Sequence, residues 1–430
     1  MLLGDNKSLN SLLGFVEGFT ANYFCRFCKV HKLETYTQCV EDKNKLRDEV
    51  SYNEDVQLDD PENTGVKFNS AFNALPSFHA TANFVVDSFH DLEEGVCQYV
   101  LLHLLRHCMP KYFTRECLNN RIAMFDFGLC ESNRIPFISE SFATRRKLHM
   151  SGCETLLFVR MLGLLIGDMV PETDPYWQLY LKMRLIVDLC LAKNLSKTKA
   201  TVLKVLVEEF NVMYVSVTKD TLKPKMHNLT HYPMVLLMSG PFDLMSTKRF
   251  ESKHKELTGP AHATTSRKQI TYTLALRHQL VQSFRFISNQ SLLPRLQVGS
   301  GDLESLQDFD DYFLFVKSLP SSMLQSCFVF SAYYVEIKGT VYKPTMSVIV
   351  NVNEHGPVFA EIKYIFVLDD DMFIFNYFLN GGYNEHLHAY NVLETEKMGG
   401  VKPDNLYDYY PLFAHKNISG EKYIVLKHSL

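Results

Sequence analysis

Four sets of residues in this 430-residue chain have types and spacings suited to chemistry: Asp5, the motif Cys25-Arg26-Phe27-Cys28, His227 with His231, and Glu251. Each has a plain alternative. Asp5 follows Gly4 and reads equally as a turn residue or a helix N-cap. A lone CxxC in a reducing compartment is a metal half-site, a pair of core thiols or a redox pair, and no thioredoxin-like βαβ pattern surrounds this one. Two histidines four residues apart share a helix face and suit zinc, but such pairs also occur as ordinary surface or core residues. Glu251 lies among Lys248, Arg249, Lys253 and Lys255, where Lys248, Glu251 and Lys255 fit a salt-bridged exposed helix.

Ligand number argues for joining the cysteine and histidine pairs. Structural Zn²⁺ takes four tetrahedral nitrogen or sulfur ligands. Cys25 and Cys28 supply two and cannot close a site alone. His227 and His231, far along the chain, supply two more. A Cys2His2 site of this kind would tie the start of the chain to the end of its helical part. With no position left for water, such a zinc is structural.

The elements that must position these residues follow from periodicity. Leu9, Leu12, Leu13, Val16 and Phe19 form an amphipathic stretch ahead of the CxxC. Residues 41–65 are acidic and polar and end in Asp-Pro-Glu-Asn-Thr-Gly, loop text by composition. Helical spacing dominates from about 84 to 240, over Phe84–Cys108, Ser151–Met169, Asp174–Ala192 and Lys199–Thr218, and again from Ser266 to Ile287. Ser151 and Glu154 form a capping box. After residue 290 short β-branched and aromatic runs alternate with Gly and Pro: Tyr333–Lys338, Ser347–Val352, Val358–Leu368, Met372–Leu379 and Tyr423–Lys427, with the acidic turn Asp369–Asp371 between two of them. His386-x-His388 reads as strand text.

Composition sets the class. Apolar residues make up 46% of the chain and aromatics 13%, and the net charge is −4, ordinary values for a globular protein rather than a polycation. No apolar run reaches the roughly 18 to 20 residues that a membrane helix needs, and the first residues have neither the basic start nor the apolar length of a signal peptide. The expected location is the nucleus or cytoplasm. Eight cysteines, among them Cys327, are scattered singly and read as free thiols. Asn228-Leu229-Thr230 is then a chance glycosylation triplet.

Taken together, the motifs carry a resemblance. Their order and spacing resemble the catalytic region of CACTA/EnSpm-type cut-and-paste DNA transposases, a group distantly related to the catalytic subunit of the V(D)J recombinase. In that group a helical insertion splits an RNase H-like fold between the second and third catalytic acids. A CxxC follows the second acid, and a histidine pair precedes the third. Here Cys25 lies 20 residues after Asp5, Glu251 lies 20 after His231, and 246 residues separate the two acids. Flanking text is similar to invertebrate members: Gly4-Asp5-Asn6, Leu12-Leu13-Gly14-Phe15-Val16-Glu17, Asp87-Ser88-Phe89-His90-Asp91-Leu92-Glu93-Glu94-Gly95-Val96, His231-Tyr232-Pro233 and Arg249-Phe250-Glu251-Ser252-Lys253-His254. The resemblance covers residues 1 to about 290 by motif and the remainder more loosely.

The resemblance implies a partial RNase H-like core split by a large helical insertion; with the strand text after residue 290, which suggests a separate small C-terminal antiparallel β barrel or sandwich, the expected class is α+β. The implied layout is a core remnant with the CxxC at 1–40, an acidic loop at 41–70, a helical insertion with the histidine pair at 71–240, catalytic-core helices at 241–290, a linker at 291–324 and the β domain at 325–430. It implies Asp5 and Glu251 as catalytic acids, Cys25, Cys28, His227 and His231 as zinc ligands, and Mg²⁺ or Mn²⁺ as the catalytic ion where the full core is present. The implied partner is DNA at transposon ends, with a homo-oligomer left open. Such enzymes hold two ions between three carboxylates. Only Met1-Leu2-Leu3 precede Gly4-Asp5, so the first aspartate has no match, and the expectation is a transposase-derived protein that does not cleave DNA alone. Lys248, Arg249, Lys253, Lys255, Arg267 and Lys268 are the candidate phosphate contacts; the rival readings are an active cut-and-paste transposase whose gene model is truncated and a protein-interaction scaffold that does not bind DNA. Asp87, His90 and Glu94 share a helix face and read as a metal-orienting cluster or as a capped helix start.

Overall fold

The computed structural model describes residues 1–289, 296–326, 328–368 and 371–430, with the side chains of Lys255 and Asp371 left aside. Cys327 and Asp369-Asp370 of the acidic turn lie outside the described residues. The chain is mixed α/β, with helices up to residue 287 and antiparallel strands from residue 296 onward.

Asp5 caps a first helix, α1 (Asn6–Leu12). The expected continuation to Phe19 does not form. Gly14 has φ +81°, and a Cβ there would meet the Phe68 carbonyl oxygen at 2.1 Å, so the chain turns where only glycine fits. The segment expected as an acidic loop contains α2 (Glu49–Leu58), with an Asp48–Ser51 capping box. Its apolar residues make no stripe, since Val50 and Leu58 are exposed, and the cap rather than periodicity marks it. Asp55 of α2 is fully buried against Arg47 at 3.0 Å.

Phe84–Val86 is extended rather than helical, and Leu2 pairs with Phe84 in a parallel bridge. Helix then begins as a π-helix (Phe89–Val96) that runs into α3 (Cys97–Lys111). The body continues through α4 (Arg115–Met124), α5 (Gly152–Ile166, with the Ser151–Glu154 capping box), α6 (Pro175–Cys190), α7 (Thr198–Thr218) and α8 (Pro224–Ser239). One large core joins all of them, with Trp177, Tyr180, Phe158 and Phe210 fully enclosed. Beyond it lie α9 (Lys248–Ala263) and α10 (Ile270–Ile287), neither of which buries a residue completely.

Strands start earlier than the expected 325. The described part of the stretch read as a linker holds β1 (Leu296–Val298), β2 (Gly301–Glu304) and four single-turn helices. These are followed by β3 (Val329–Ala332), β4 (Val335–Ile337), β5 (Thr340–Tyr342), β6 (Ser347–Asn353), β7 (Gly356–Val367), β8 (Asp371–Asn384), β9 (Ala389–Val401), β10 (Asp408–Leu412), β11 (Ala414–Lys416) and β12 (Lys422–Ile424). Among the described residues β1, β4 and β5 make a small sheet. The other nine strands make a curled antiparallel sheet in the order β10-β6-β7-β8-β9-β12-β11, with β3 joining β7 and β2 joining β3. Strands as short and exposed as β1 and β2 carry little alternation, which is why 291–324 reads as a linker.

The sheet docks on the helices through the turn between β8 and β9. His386 and His388, expected as strand residues, lie in that turn. Trp177 Nε1 donates to the His386 carbonyl at 3.2 Å, His386 Nε2 to the Gly167 carbonyl at 2.7 Å, and His388 Nε2 meets Asp188 at 2.6 Å. Leu387 crosses α5 at Gly163, where an added Cβ would sit 2.0 Å from its carbonyl oxygen. Gly163→Ala must therefore push the turn off the helix, with an expected loss of about 1–3 kcal/mol by overpacking; chemical denaturation measures it, and an unchanged midpoint would show that this docking is not close. Among the described residues no helix is long and apolar enough to cross a membrane.

Candidate metal centre

Cys25 and Cys28 sit on a backbone knuckle. Its far side is pinned by a bridge from Cys28 to Leu46 and by hydrogen bonds from Lys29 N to the Lys45 carbonyl (2.7 Å) and from Arg47 N to the Phe27 carbonyl (2.8 Å). Arg47 Nε also donates to the Cys25 carbonyl at 3.1 Å. His227 and His231 face this knuckle from α8, one turn apart, and Pro224 starts that helix at a position where its missing N–H costs nothing. The four ligand atoms lie within 4.8 Å of one another, and all four residues are buried; among the described residues no other group of three or more His, Cys, Asp or Glu gathers this way.

The distances fit a tetrahedral ion. Cys25 Sγ lies 3.5 Å from His231 Nε2, and Cys28 Sγ lies 3.3 Å from His227 Nε2. Zinc bonds of about 2.3 Å to sulfur and 2.0 Å to nitrogen, at tetrahedral angles, put sulfur and nitrogen about 3.5 Å apart. These four side chains can hold a metal such as zinc, with no position open for substrate.

Electrostatics agree. Burial works against a thiolate at Cys25, but a hydrogen bond from Cys28 and the charge of His231 and His227 override it and hold this thiol well below its usual range. The same Cys25–Cys28 hydrogen bond, with burial, pushes Cys28 up. Burial lowers His231, yet the Cys25 thiolate and Glu41 win and raise it to about 9. Without an ion, protons share the space between sulfur and nitrogen; an ion takes their place.

Glu41 is a site residue that sequence reading missed. Its Oε1 lies 2.8 Å from His231 Nδ1, which fixes the ring so that Nε2 faces the sulfurs. Phe27 stacks on the same ring at 4.8 Å. His227 Nδ1, by contrast, is buried without a protein partner. Glu41→Ala should weaken metal binding about 10- to 100-fold while leaving the four ligands in place. A competition titration with a chromophoric chelator measures this, and an unchanged affinity would remove Glu41 from the site. The equally spaced pair His103 and His107 is not a ligand pair: these side chains turn to Asp220 (3.3 Å) and Asp174 (2.8 Å) instead.

A second cluster forms around His90: Glu94 and Glu251 face the ring, and its charge reaches Asp5. Asp5 does act as an N-cap, accepting from Lys7 N (2.8 Å), Ser8 N (2.9 Å) and Ser8 Oγ (2.7 Å). Burial disfavours its charge, but those bonds and the nearby His90 hold the carboxyl below its usual range. His90 Nδ1 meets Asp87 Oδ2 at 2.6 Å, while Thr247 Oγ1 donates to the other Asp87 oxygen at 2.7 Å. His90 Nε2 faces Glu251 Oε1 at 3.4 Å and Glu94 Oε2 at 3.9 Å. The Asp87 hydrogen bond raises the pKa of His90 against the opposing effect of burial, with help from Asp87, Glu94 and Glu251. The cluster is a capped helix start, as expected: Asp87 Oδ1 accepts from His90 N at 3.4 Å, and Asp87, His90 and Glu94 lie side by side, although the helix they open is a π-helix.

Asp91 anchors the floor of this cluster. It is fully buried and accepts from Asn6 Nδ2 (2.9 Å), Asn228 Nδ2 (3.2 Å) and Tyr232 OH (3.2 Å). Arg26 reaches Asn6 Oδ1 at 2.9 Å and the Val85 carbonyl at 3.1 Å. Burial, then the Asp87 charge, pushes Asp91 up to about 6. Asn228, the chance glycosylation triplet, is thus an interior residue.

The candidate phosphate contacts divide. Lys248 pairs with the buried Glu93 at 3.2 Å rather than with Glu251, which corrects the helix-surface pairing expected for it. Burial, opposed by Lys248, raises Glu93 to about 7. Lys253 pairs with Glu256, while Arg249, Arg267 and Lys268 are exposed. The Lys255 side chain lies outside the described residues. No protein-family model matches this chain, and no curated protein is similar to it.

Proposed function

We propose that the chain is derived from a CACTA-type cut-and-paste DNA transposase, holds one structural zinc ion at Cys25, Cys28, His227 and His231, and binds DNA. One observation carries the reading. The two half-sites that the family pattern joins, Cys25 with Cys28 and His227 with His231, meet in space; Glu251 faces His90 at 3.4 Å, and the charge of His90 also reaches Asp5. The parallel pairing of Leu2 with Phe84 supports assigning 1–3 and 84–86 to the edge of an RNase H-like core. The helices between them are then the insertion.

In this reading Asp5 and Glu251 hold Mg²⁺ or Mn²⁺, which would activate water or a 3′-OH. Two carboxylates of the three-acid pattern are matched in the chain, so DNA binding without strand cleavage is the expected behaviour of this chain alone. Phosphate contacts come from Arg249, Lys253, Arg267 and Lys268. Affinity for duplex DNA should fall steeply with salt, and each phosphate contact removed lowers the slope of log affinity against log salt by about 0.9. The combined charge reversal Arg249→Glu, Lys253→Glu, Arg267→Glu and Lys268→Glu should flatten that slope by about 3 to 4. Fluorescence anisotropy at several salt concentrations measures both. A wild-type protein without salt-dependent DNA affinity would contradict the proposal.

One observation favours a protein-interaction scaffold as the second reading. Tyr272, Leu276, Leu280, Phe284 and Ile287 of α10 form an exposed apolar stripe, the pattern of a helix that docks on another surface.

A further inference from the structure

We propose that the cavity enclosed by α5, the start of α9 and the segment after β12 is a binding site for a phosphate group, held by Arg160 and Lys427 inside and by Lys248 and Arg249 on its more open side. The inference goes beyond the proposed function and does not need DNA binding to hold.

Two parts of the chain build the cavity. The helical body supplies Arg160 from α5, Lys248 and Arg249 from α9, and Glu93 from the π-helix, while the β region supplies Tyr410 of β10 and Lys427 of the closing segment. The charges on its walls do not balance. Arg160 is buried, yet Glu131 meets it at one terminal nitrogen, at 2.9 Å, and its Nε has no partner. The same Glu131 also serves Lys427, at 3.8 Å. Glu93 serves Lys248 at 3.2 Å, and His428 and Asp408 answer each other at 3.2 Å. Among the described residues Arg249 and Lys193 meet no carboxylate at ion-pair distance; Lys193 lies instead on the Tyr410 ring at 3.9 Å, which Lys427 approaches at 5.7 Å. Arg160, Lys193, Lys248, Arg249 and Lys427 thus outnumber Glu93, Glu131 and Asp243, the carboxylates of the wall, by two.

Buried cations in excess of their counter-charges are costly, and an anion in the cavity removes that cost. The crowding is felt at Lys427, whose ammonium is held below its ordinary range by burial and then by the charge of Arg160. A phosphate monoester carries about two negative charges at neutral pH, which matches the excess, whereas a carboxylate brings one. The guanidinium fork of Arg160 suits two phosphate oxygens, and the lysines add point charges. A cavity volume of about 270 Å³ falls just under the roughly 300–1,000 Å³ of sites for drug-sized molecules and suits a small charged group. Arg249 is exposed and Lys248 partly so, so the anion can enter from the side of α9, drawn by a cleft of one prevailing sign.

The test uses the full chain with its Cys2His2 site loaded with zinc, titrated calorimetrically with inorganic phosphate at low ionic strength. One phosphate per chain is expected. Lys427→Met, which keeps the apolar stem, should weaken binding about tenfold or more, and Arg160→Lys, which keeps the charge but loses the fork, about threefold or more. In the unaltered protein phosphate should shift the Tyr410 ring resonances, a readout that does not depend on a variant folding. Absence of binding, binding that neither substitution weakens, or Tyr410 resonances unmoved at saturating phosphate would overturn the site. A second titration compares duplex DNA bearing a 5′-phosphate with the same duplex bearing a 5′-hydroxyl. A preference for the phosphorylated duplex that Lys427→Met abolishes supports the site and names a strand end as the source of the phosphate. Equal binding of the two duplexes, beside binding of inorganic phosphate, supports the site and names a small free phosphate as its ligand. If neither duplex binds while inorganic phosphate does, the DNA reading falls and the site stands.

Discussion

Replacing Cys25 by Ser, or His227 by Ala, should release the metal and loosen the attachment of the first thirty residues to α8. Three remaining ligands bind far more weakly than four, and the binding free energy of a structural zinc, about 10–16 kcal/mol in small zinc modules, is folding free energy. Here an ion would join segments 199 residues apart at Cys28 and His227. Part of the attachment survives through Arg26, Asn6 and the Leu2 bridge. The expected outcome is a fall from one metal per chain to nearly none, with a midpoint of thermal unfolding lower by about 5 °C, the shift that a loss of several kcal/mol produces in a chain of this size. Elemental analysis and calorimetry measure the two. A variant with unchanged metal content and midpoint would show that the quartet is a packed thiol–imidazole cluster and no metal site.

Asp91→Ala should be nearly as damaging, for a different reason. It removes the acceptor for Asn6, Asn228 and Tyr232 and takes from the buried Arg26 the largest of its compensating charges. A buried cation left without its counter-charge costs about 3–5 kcal/mol. Asp91→Asn keeps an acceptor and a similar shape, so its cost should be smaller, about 1–2 kcal/mol. Urea denaturation of the two variants, with metal content monitored alongside, separates this network from the metal centre. Equal effects of Ala and Asn would show that charge at Asp91 is irrelevant to the fold.

The parts of the site legible in the sequence are those with strict chemical demands. A tetrahedral ion needs four nitrogen or sulfur ligands, so CxxC and a histidine pair can be matched across any distance, and the quartet does assemble. Even so, spacing alone does not separate His227/His231 from His103/His107. Only the helix that faces the cysteines does. Glu41 was illegible because an outer carboxylate has no spacing rule: it sits in acidic text, 190 residues from His231. Asp87, His90 and Glu94 were visible as polar residues on an apolar helix. Their pairing with Glu251 was not, because that residue comes from a helix more than 150 residues further along the chain. Lys248 shows the limit of local pairing rules, since a buried Glu93 from another element outcompetes the neighbour three residues on. In the β region, long alternating strands such as Ser347–Asn353 could be read directly, whereas three-residue strands defined by their partners could not. The docking turn at His386–His388 looked like strand because alternation of side chains is the same in a short turn and a short strand.

The most direct test is X-ray absorption at the zinc edge on the full chain purified with one equivalent of zinc. A first shell of two sulfurs at about 2.3 Å and two nitrogens at about 2.0 Å is the expected result, and it should change to one sulfur in Cys25→Ser where metal is retained at all. A shell of nitrogen and oxygen only, or failure of the folded protein to retain zinc, would contradict the joining of Cys25 and Cys28 with His227 and His231, and with it the reading of the whole chain built on that junction.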